Sequence, residues 1–141
     1  MVAFFGSTVS LVIQIVVLGL LIGAIMLKSQ KKFRQHGITV LSAVVLHIVS
    51  VLAVMIPSFT AFFGASVLID YTDVYVILTL IHAAAGVTVA LLGVWLVSSW
   101  HLQINMQTCF KKKRFMDVTL ILWLLAIIIG IVLYLKIIAV I

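Results

Sequence analysis

Charged side chains are scarce in this chain of 141 residues. Asp, Glu, Lys and Arg make up 9% of the sequence, whereas hydrophobic residues make up 66%. A soluble domain carries roughly 25% charged residues and needs them to cover its surface. The composition therefore excludes a soluble globular protein and indicates that the lipid bilayer is the solvent. The length allows one compact domain.

Cysteine and acidic residues are also nearly absent. Cys109 is the single cysteine, which excludes a disulfide framework and a thiolate metal site. The sequence has no C-x-x-C-H motif, so covalent c-type haem attachment is excluded. There are three acidic residues, and none lies in a long apolar run, which argues against a carboxylate proton relay or an ion-transport site. Paired carboxylates, a nucleophile with its base and a phosphate-binding glycine loop are missing too, so an enzyme is not the expected class.

Four apolar runs are long enough to cross the hydrocarbon core, which takes about 20 helical residues. The predicted spans are Val9 to Leu27, Ile38 to Ile56, Val76 to Val97 and Val118 to Leu135. Short connections between such spans favour antiparallel neighbours. The sequence therefore predicts an all-α integral membrane protein in which residues 1–141 form one four-helix, up-down-up-down bundle.

The basic residues predict the orientation of this bundle. The net charge is +6, but eight of the nine basic residues lie in two clusters, at positions 28–34 and 111–114. Clusters that link consecutive spans mark cytoplasmic loops and do not indicate a nucleic-acid surface. We therefore expect a multi-pass protein of the plasma membrane with both termini outside the cytoplasm. No basic residue precedes the first apolar run, which predicts a retained span and not a cleaved signal peptide.

The connection between the second and third spans, Pro57 to Tyr75, is expected on the outer side. It is rich in aromatic residues, which favour the membrane interface. Part of it is predicted to lie flat on the membrane as a short amphipathic helix. Asp70 and Asp73 should keep its far end in water.

Four histidines are the most informative polar residues. His36 and His47 are eleven residues apart, so they share one stripe of a helix at a separation of roughly 16 Å. His82 lies in the third span, and His101 follows its inner end. The four side chains fall at two depths, each with one residue from the second span and one from the third.

Histidines that face each other from two helices favour haem b, because its iron takes one imidazole nitrogen on each side of the porphyrin. We expect His47 and His82 as axial ligands, and His36 with His101 as a second metal-ligating pair, for one or two haem b groups. Ala43 and Gly86 share the faces of these histidines and leave room for a flat ring. Arg34, beside His36, is suited to pair with a haem propionate.

Simpler interpretations stand beside this one. His47 and His82 can act as polar packing groups, bonded to each other or to Ser50 and Thr79, and small residues can serve only to bring helices together. The histidines can also serve quinone binding or proton transfer. Zinc is disfavoured because the imidazoles are split between two depths, and copper needs a closer cluster.

Short motifs carry a resemblance to a known family. The last span runs from Trp123 through Gly130 to Tyr134, the second begins with Lys32-Phe-Arg-Gln-His36, and the third contains Leu80-Ile-His82-Ala. This pattern resembles a small family of four-helix membrane proteins of unknown function that occur beside haem–copper oxidases. Members often have a histidine before the fourth span, where this chain has lysines. On architecture alone, the chain also resembles four-helix cytochromes b.

Two functions follow as expectations. The first is a haem b-binding subunit that passes electrons within or beside a respiratory or oxidative membrane complex. The alternative is a haem-free accessory or assembly subunit that stabilises a larger membrane complex. The expected partners are the lipid bilayer, other membrane subunits and, for an electron carrier, quinone, but not nucleic acid.

Overall fold

The structure is a computed structural model and describes residues 2–65, 70–100 and 112–138. These residues form helices and no strand. The helices are α1 (Val2–Ser29), α2 (Phe33–Ser50), a π-helical turn (Val51–Met55), α3 (Ile56–Ala65), α4 (Val74–Trp100) and α5 (Lys113–Ile137).

Four helical runs are long and apolar enough to cross a membrane, which confirms the predicted all-α membrane bundle. They are Phe5–Ser29, Phe33–Gly64, Val74–Ser99 and Lys113–Ile137. Each extends beyond the apolar core from which it was predicted, because a helix continues into the interface for as long as its backbone hydrogen bonds are intact. As a result, Asp117, expected outside the fourth span, lies in the first turns of α5.

Contacts between the helices establish the antiparallel order. Thr8 near the start of α1 meets Tyr134 near the end of α5, and the ring of Trp95 near the end of α4 meets Phe115 at the start of α5. One end of the bundle therefore carries the linker at residues 28–34 together with the beginning of α5. We call it the basic end, and the opposite end, with Thr8 and Tyr134, the far end.

The second span continues through Pro57 to Gly64, so our prediction that it would end at Ile56 was wrong. A short helix does follow that residue, as predicted. A proline in a helix lacks an N–H and its ring clashes with the carbonyl four residues earlier. Here the helix widens into a π turn just before Pro57, where the Ile56 N–H bonds to the carbonyl of Val51. The wider turn changes the register of the backbone, so α3 can follow α2 without a break.

Small and branched side chains fill the centre of the bundle. A core cluster joins all four long helices through Val17, Ala43, Val89, Trp123 and Ile127. Close packing of α2 on α4 depends on a glycine. A Cβ built at Gly93 would lie 2.9 Å from Cγ2 of Val44, a distance that no real contact keeps. These two helices therefore approach more closely than any larger residue would allow.

The short connection before α4 is fixed by two aspartates. The backbone N–H of Tyr75 donates to the Asp73 carboxylate at 2.7 Å, which satisfies a free donor at the start of α4. The Thr72 N–H and hydroxyl both donate to Asp70. These hydrogen bonds, the one from the hydroxyl above all, lower the pKa of Asp70 below its ordinary value.

Candidate functional site: three interhelical histidines

His47 lies at the centre of the bundle and is 2% exposed. Its Nε2 is 3.0 Å from the carbonyl oxygen of Gly86 on α4. Its ring also meets the ring of Trp123 on α5 edge to face, at a centroid distance of 5.2 Å. One side chain of α2 thus contacts α4 and α5 at this depth. The bond to Gly86 satisfies one ring nitrogen in a place where an unpaired polar group is costly.

His82 occupies a notch on the surface of α5. Its Nδ1 lies 2.9 Å from the carbonyl oxygen of Ala126. Gly130 follows four residues later and leaves that carbonyl uncovered. A Cβ built at Gly130 would lie 2.9 Å from Cε1 of His82, so the notch exists only because this residue is glycine.

His36 forms the third contact of this kind, at the basic end. Its Nδ1 lies 2.7 Å from the carbonyl oxygen of Ala24 on α1. The side chain is half-buried and sits one helical turn inside the start of α2. The short distance indicates a well-formed hydrogen bond, which ties α2 to α1 just below the basic linker.

The three described histidines therefore share one role, since each donates to a backbone carbonyl of a neighbouring helix. His36 links α2 to α1, His47 links α2 to α4, and His82 links α4 to α5. The hydroxyls of Thr8 and Tyr134, 3.2 Å apart, join α1 to α5. All four pairs of adjacent helices are thus connected by a side-chain hydrogen bond, as expected where packing alone has no hydrophobic drive.

These hydrogen bonds define which nitrogen of each neutral ring carries the proton. A carbonyl only accepts, so Nε2 of His47 and Nδ1 of His36 and His82 are the donors. The bare nitrogen of His47 is then Nδ1, which is buried and has no partner among the described residues. In His36 and His82 the bare nitrogen is Nε2. Metal-ligating histidines commonly donate one ring N–H to a protein oxygen and bind the metal through the other nitrogen.

His47 and His82 hydrogen-bond to two different helices, α4 and α5, and their role as axial haem ligands stays a prediction. The Nε2 of His47 is bonded directly to the backbone of α4, the helix that carries His82. His82 points its ring at α5. A porphyrin held between α2 and α4 would occupy the place of the His47–Gly86 contact. Among the described residues, no group of three or more His, Cys, Asp or Glu side chains is placed to hold a metal ion.

The other predicted site residues have separate positions. Ala43 is fully buried in the core cluster, and Gly86 supplies the carbonyl that His47 uses. A Cβ built at Gly86 would meet no atom within 4 Å, so this position does not require glycine, in contrast to Gly93 and Gly130. Arg34 is exposed at the basic end. His101, the expected partner of His36, lies outside the described residues.

The predicted hydrogen-bond partners of the histidines were not the observed ones. Ser50 bonds to Ser10 at 3.2 Å, and Thr79 donates to the carbonyl of Tyr75 in its own helix. Backbone carbonyls take their place. No sequence pattern marks a carbonyl as available, although a small residue four positions later, such as Gly130 after Ala126, is a usable signal.

Two buried polar residues escaped the sequence analysis as candidates for a site. Gln14 and Trp123 are 8% and 2% exposed, and neither Gln14 Nε2 nor Trp123 Nε1 has a partner among the described residues. Gln14 shares a stripe with Val17, Leu21 and Ala24, at the spacing that faces a bundle core. That spacing was available in the sequence.

The chain was also compared with known proteins. No family model, no curated protein and no solved structure matches it.

Proposed function

We propose that this protein is a haem-free accessory subunit that stabilises a larger membrane complex. The observation that carries the proposal is the use of all three described histidines as hydrogen-bond donors between helices. Imidazoles employed in this way rigidify a small bundle. They leave its apolar outer surface as the part that meets lipid and other subunits.

The long second span supports contact with a partner outside the bilayer. The helical run Phe33–Gly64 has 32 residues, or about 48 Å, against about 30 Å for the hydrocarbon core. Its last part, α3, carries a cluster in which the ring of Phe63 meets Phe59 at a tilt and Phe62 edge to face. We propose that this extension stands at the far end and contacts another membrane subunit.

The orientation enters as part of the same proposal. With the basic end in the cytoplasm of a plasma-membrane protein, both termini and α3 lie on the outer side. The resemblance to proteins found beside haem–copper oxidases suggests an oxidase or a related respiratory complex as the partner.

Deletion of the protein in its native host tests this function. The expected result is a fall in the amount of one membrane complex, seen on native gels of membranes solubilised in mild detergent. Re-expression of the wild-type chain should restore it. Re-expression of a chain with Phe62→Ser should not, whereas a matched change on the opposite half of the same span, Val45→Ser, should. An unchanged pattern of membrane complexes in the deletion strain would refute the proposal.

A haem b carrier is the second candidate, because His36 and His82 hold a proton on Nδ1 and keep Nε2 bare, as metal ligands do. When bound, haem would supply one-electron transfer. The test is a reduced-minus-oxidised visible spectrum of the purified protein, repeated on His36→Ala and His82→Ala. A b-type spectrum that either change abolishes would replace the accessory proposal by the carrier. Its absence from a freshly isolated complex would remove the carrier.

A further inference from the structure

A cleft of about 90 Å³ lies between the four long helices at the basic end. Leu21 of α1, Val40 and Val44 of α2, and Gly93 of α4 contribute to its walls. The lining is almost entirely apolar. The cleft is much too small for a porphyrin and smaller than the cavity of about 150 Å³ that holds benzene, so it takes a chain segment or part of a larger molecule.

Trp123 of α5 also lines the cleft. Its indole is 2% exposed, and its Nε1 has no acceptor among the described residues. An indole N–H can only donate, and a buried donor without an acceptor costs on the order of 1–3 kcal/mol. An occupant of the cleft that brings an acceptor oxygen to this N–H would remove that cost.

The rim of the cleft is polar, in contrast to its interior. Lys28, His36 and Asp117 all border it. Met116, also at the border, is seven residues before Trp123, so the charged rim lies about 10 Å from the indole. A molecule that fits both regions is an amphiphile. Its apolar body lies in the cleft, and its polar group lies at the rim.

We propose that this cleft binds a membrane amphiphile whose carbonyl oxygen accepts the hydrogen bond of the Trp123 N–H. Two kinds of membrane molecule carry such a carbonyl beside an apolar body: ester-linked phospholipids and isoprenoid quinones. Both reach the cleft from the leaflet at the basic end. The cleft shares His36 and Ala24 with one of the three histidine hydrogen bonds and none of its lining residues with α3. The proposed binding does not depend on whether the protein is an accessory subunit.

The indole N–H resonance of Trp123 reports directly on this hydrogen bond. The chain has three tryptophans, so a ¹⁵N-labelled sample in nanodiscs gives three such resonances, and the signal of Trp123 is the one that Trp123→Phe removes. One nanodisc contains diester phosphatidylglycerol, a second contains its diether analogue, and a short-chain benzoquinone is added to the diether sample. The ether lipid has the same shape and charge but no carbonyl.

The expected result is a downfield shift of the Trp123 signal when a carbonyl is present. A shift in the diester nanodisc relative to the diether one identifies a phospholipid ester. A shift that appears only on addition of the benzoquinone identifies a quinone. Equal positions in all three samples would overturn the proposal, and so would a shift in the Trp95 signal in place of Trp123.

In a binding titration, Trp123→Phe should weaken the affinity about tenfold through loss of one hydrogen bond, and Trp95→Phe should not.

Filling the cleft provides the second arm. Val40→Phe places a ring in the cleft and should abolish the shift of the Trp123 signal, whereas Val45→Phe, on the lipid-facing side of the same helix, should leave it intact. A wild-type shift in a folded Val40→Phe protein would overturn the proposal. If that variant does not fold, the three nanodisc samples of the wild-type protein still test the proposal.

Discussion

The two ends of the bundle are built differently. At the far end, hydroxyls of Thr8 and Tyr134 join α1 to α5, those of Ser10 and Ser50 join α1 to α2, and His82 is fitted against Gly130. At the basic end, the same four helices leave a cleft with a polar rim. His47 and Trp123 lie between the two regions.

The difference indicates that the far end stabilises the bundle and that the basic end is suited to bind a ligand. A membrane bundle gains stability from close packing and interhelical hydrogen bonds, because lipid tails are as apolar as its side chains. The far end uses both. At the basic end the helices leave a cleft, and the Trp123 indole N–H has no acceptor among the described residues. Both features lower the stability of the bundle, and a bound ligand can restore it. We therefore expect substitutions at the far end to change stability, and those in the cleft to change binding.

The largest effect on stability is expected for His47→Ala, because His47 lies between the two ends of the bundle. The change deletes a buried ring and its bond to Gly86, and it extends the cleft toward the far end. By analogy with other large-to-alanine changes in cores, the free energy of unfolding should fall by about 3 kcal/mol, measured by thermal or denaturant unfolding in detergent micelles. Val49→Ala, on the lipid-facing side of the same helix, is the control. A loss no larger than that of the control would show that His47 is not structural.

A second experiment compares added volume at each end. Gly130→Ala forces Cβ against His82 and should cost about 2 kcal/mol, because overpacking displaces the ring and its hydrogen bond. Gly23→Ala meets no atom within 4 Å and should be neutral or slightly stabilising, since alanine favours a helix. Val40→Phe, in the cleft, should cost less than Gly130→Ala despite its larger volume. A larger loss of stability for Val40→Phe than for Gly130→Ala would contradict the expected difference between the two ends.

The hydrogen bond that closes the far end should have a small effect. In a double-mutant cycle of Thr8→Val and Tyr134→Phe, the coupling free energy should be about 0.6 kcal/mol, the average for such bonds in membrane bundles. Unfolding in the same micelles measures it. A coupling indistinguishable from zero would mean that packing alone joins α1 to α5.

The smallest effect is local and concerns the connection at the far end. The hydroxyl of Thr72 helps to lower the pKa of Asp70, so Thr72→Val should raise that pKa toward its ordinary value. A carboxyl with a lowered pKa stabilises the folded turn above its unfolded pKa, and the contribution disappears as pH falls through the folded value. An NMR titration of the Asp70 carboxyl carbon measures the shift. Identical titrations of variant and wild type would contradict the assigned cause.

Much of the fold was predictable because the bilayer restricts the choices. The scarcity of charge and the four apolar runs predicted the helices, and the positions of the basic clusters matched the end at which α1, α2 and α5 meet. The path through Pro57 was not predictable, because a proline ends a helix in most contexts. Only the π turn at Val51–Met55 accommodates it.

The site was predictable in composition but not in its contacts. The sequence alone singled out His36, His47 and His82 as polar groups with a role, and both polar packing and haem ligation were open for them. It could not foresee that each ring donates to a backbone carbonyl, because every residue has one and only helix rotation decides which is within reach. The haem prediction and the identity of any quinone remain to be tested.

The sequence by itself thus determined that this chain is a four-helix membrane protein with polar groups confined to a few interior positions, because no other arrangement satisfies so apolar a chain in lipid. Tertiary structure alone decided that the histidines link helices, that Gly93 and Gly130 but not Gly86 are sterically required, and that Trp123 lines a cleft at the basic end. Those outcomes depend on interhelical distances of a few ångströms, which are set by the joint packing of all four helices and not by any local stretch of sequence.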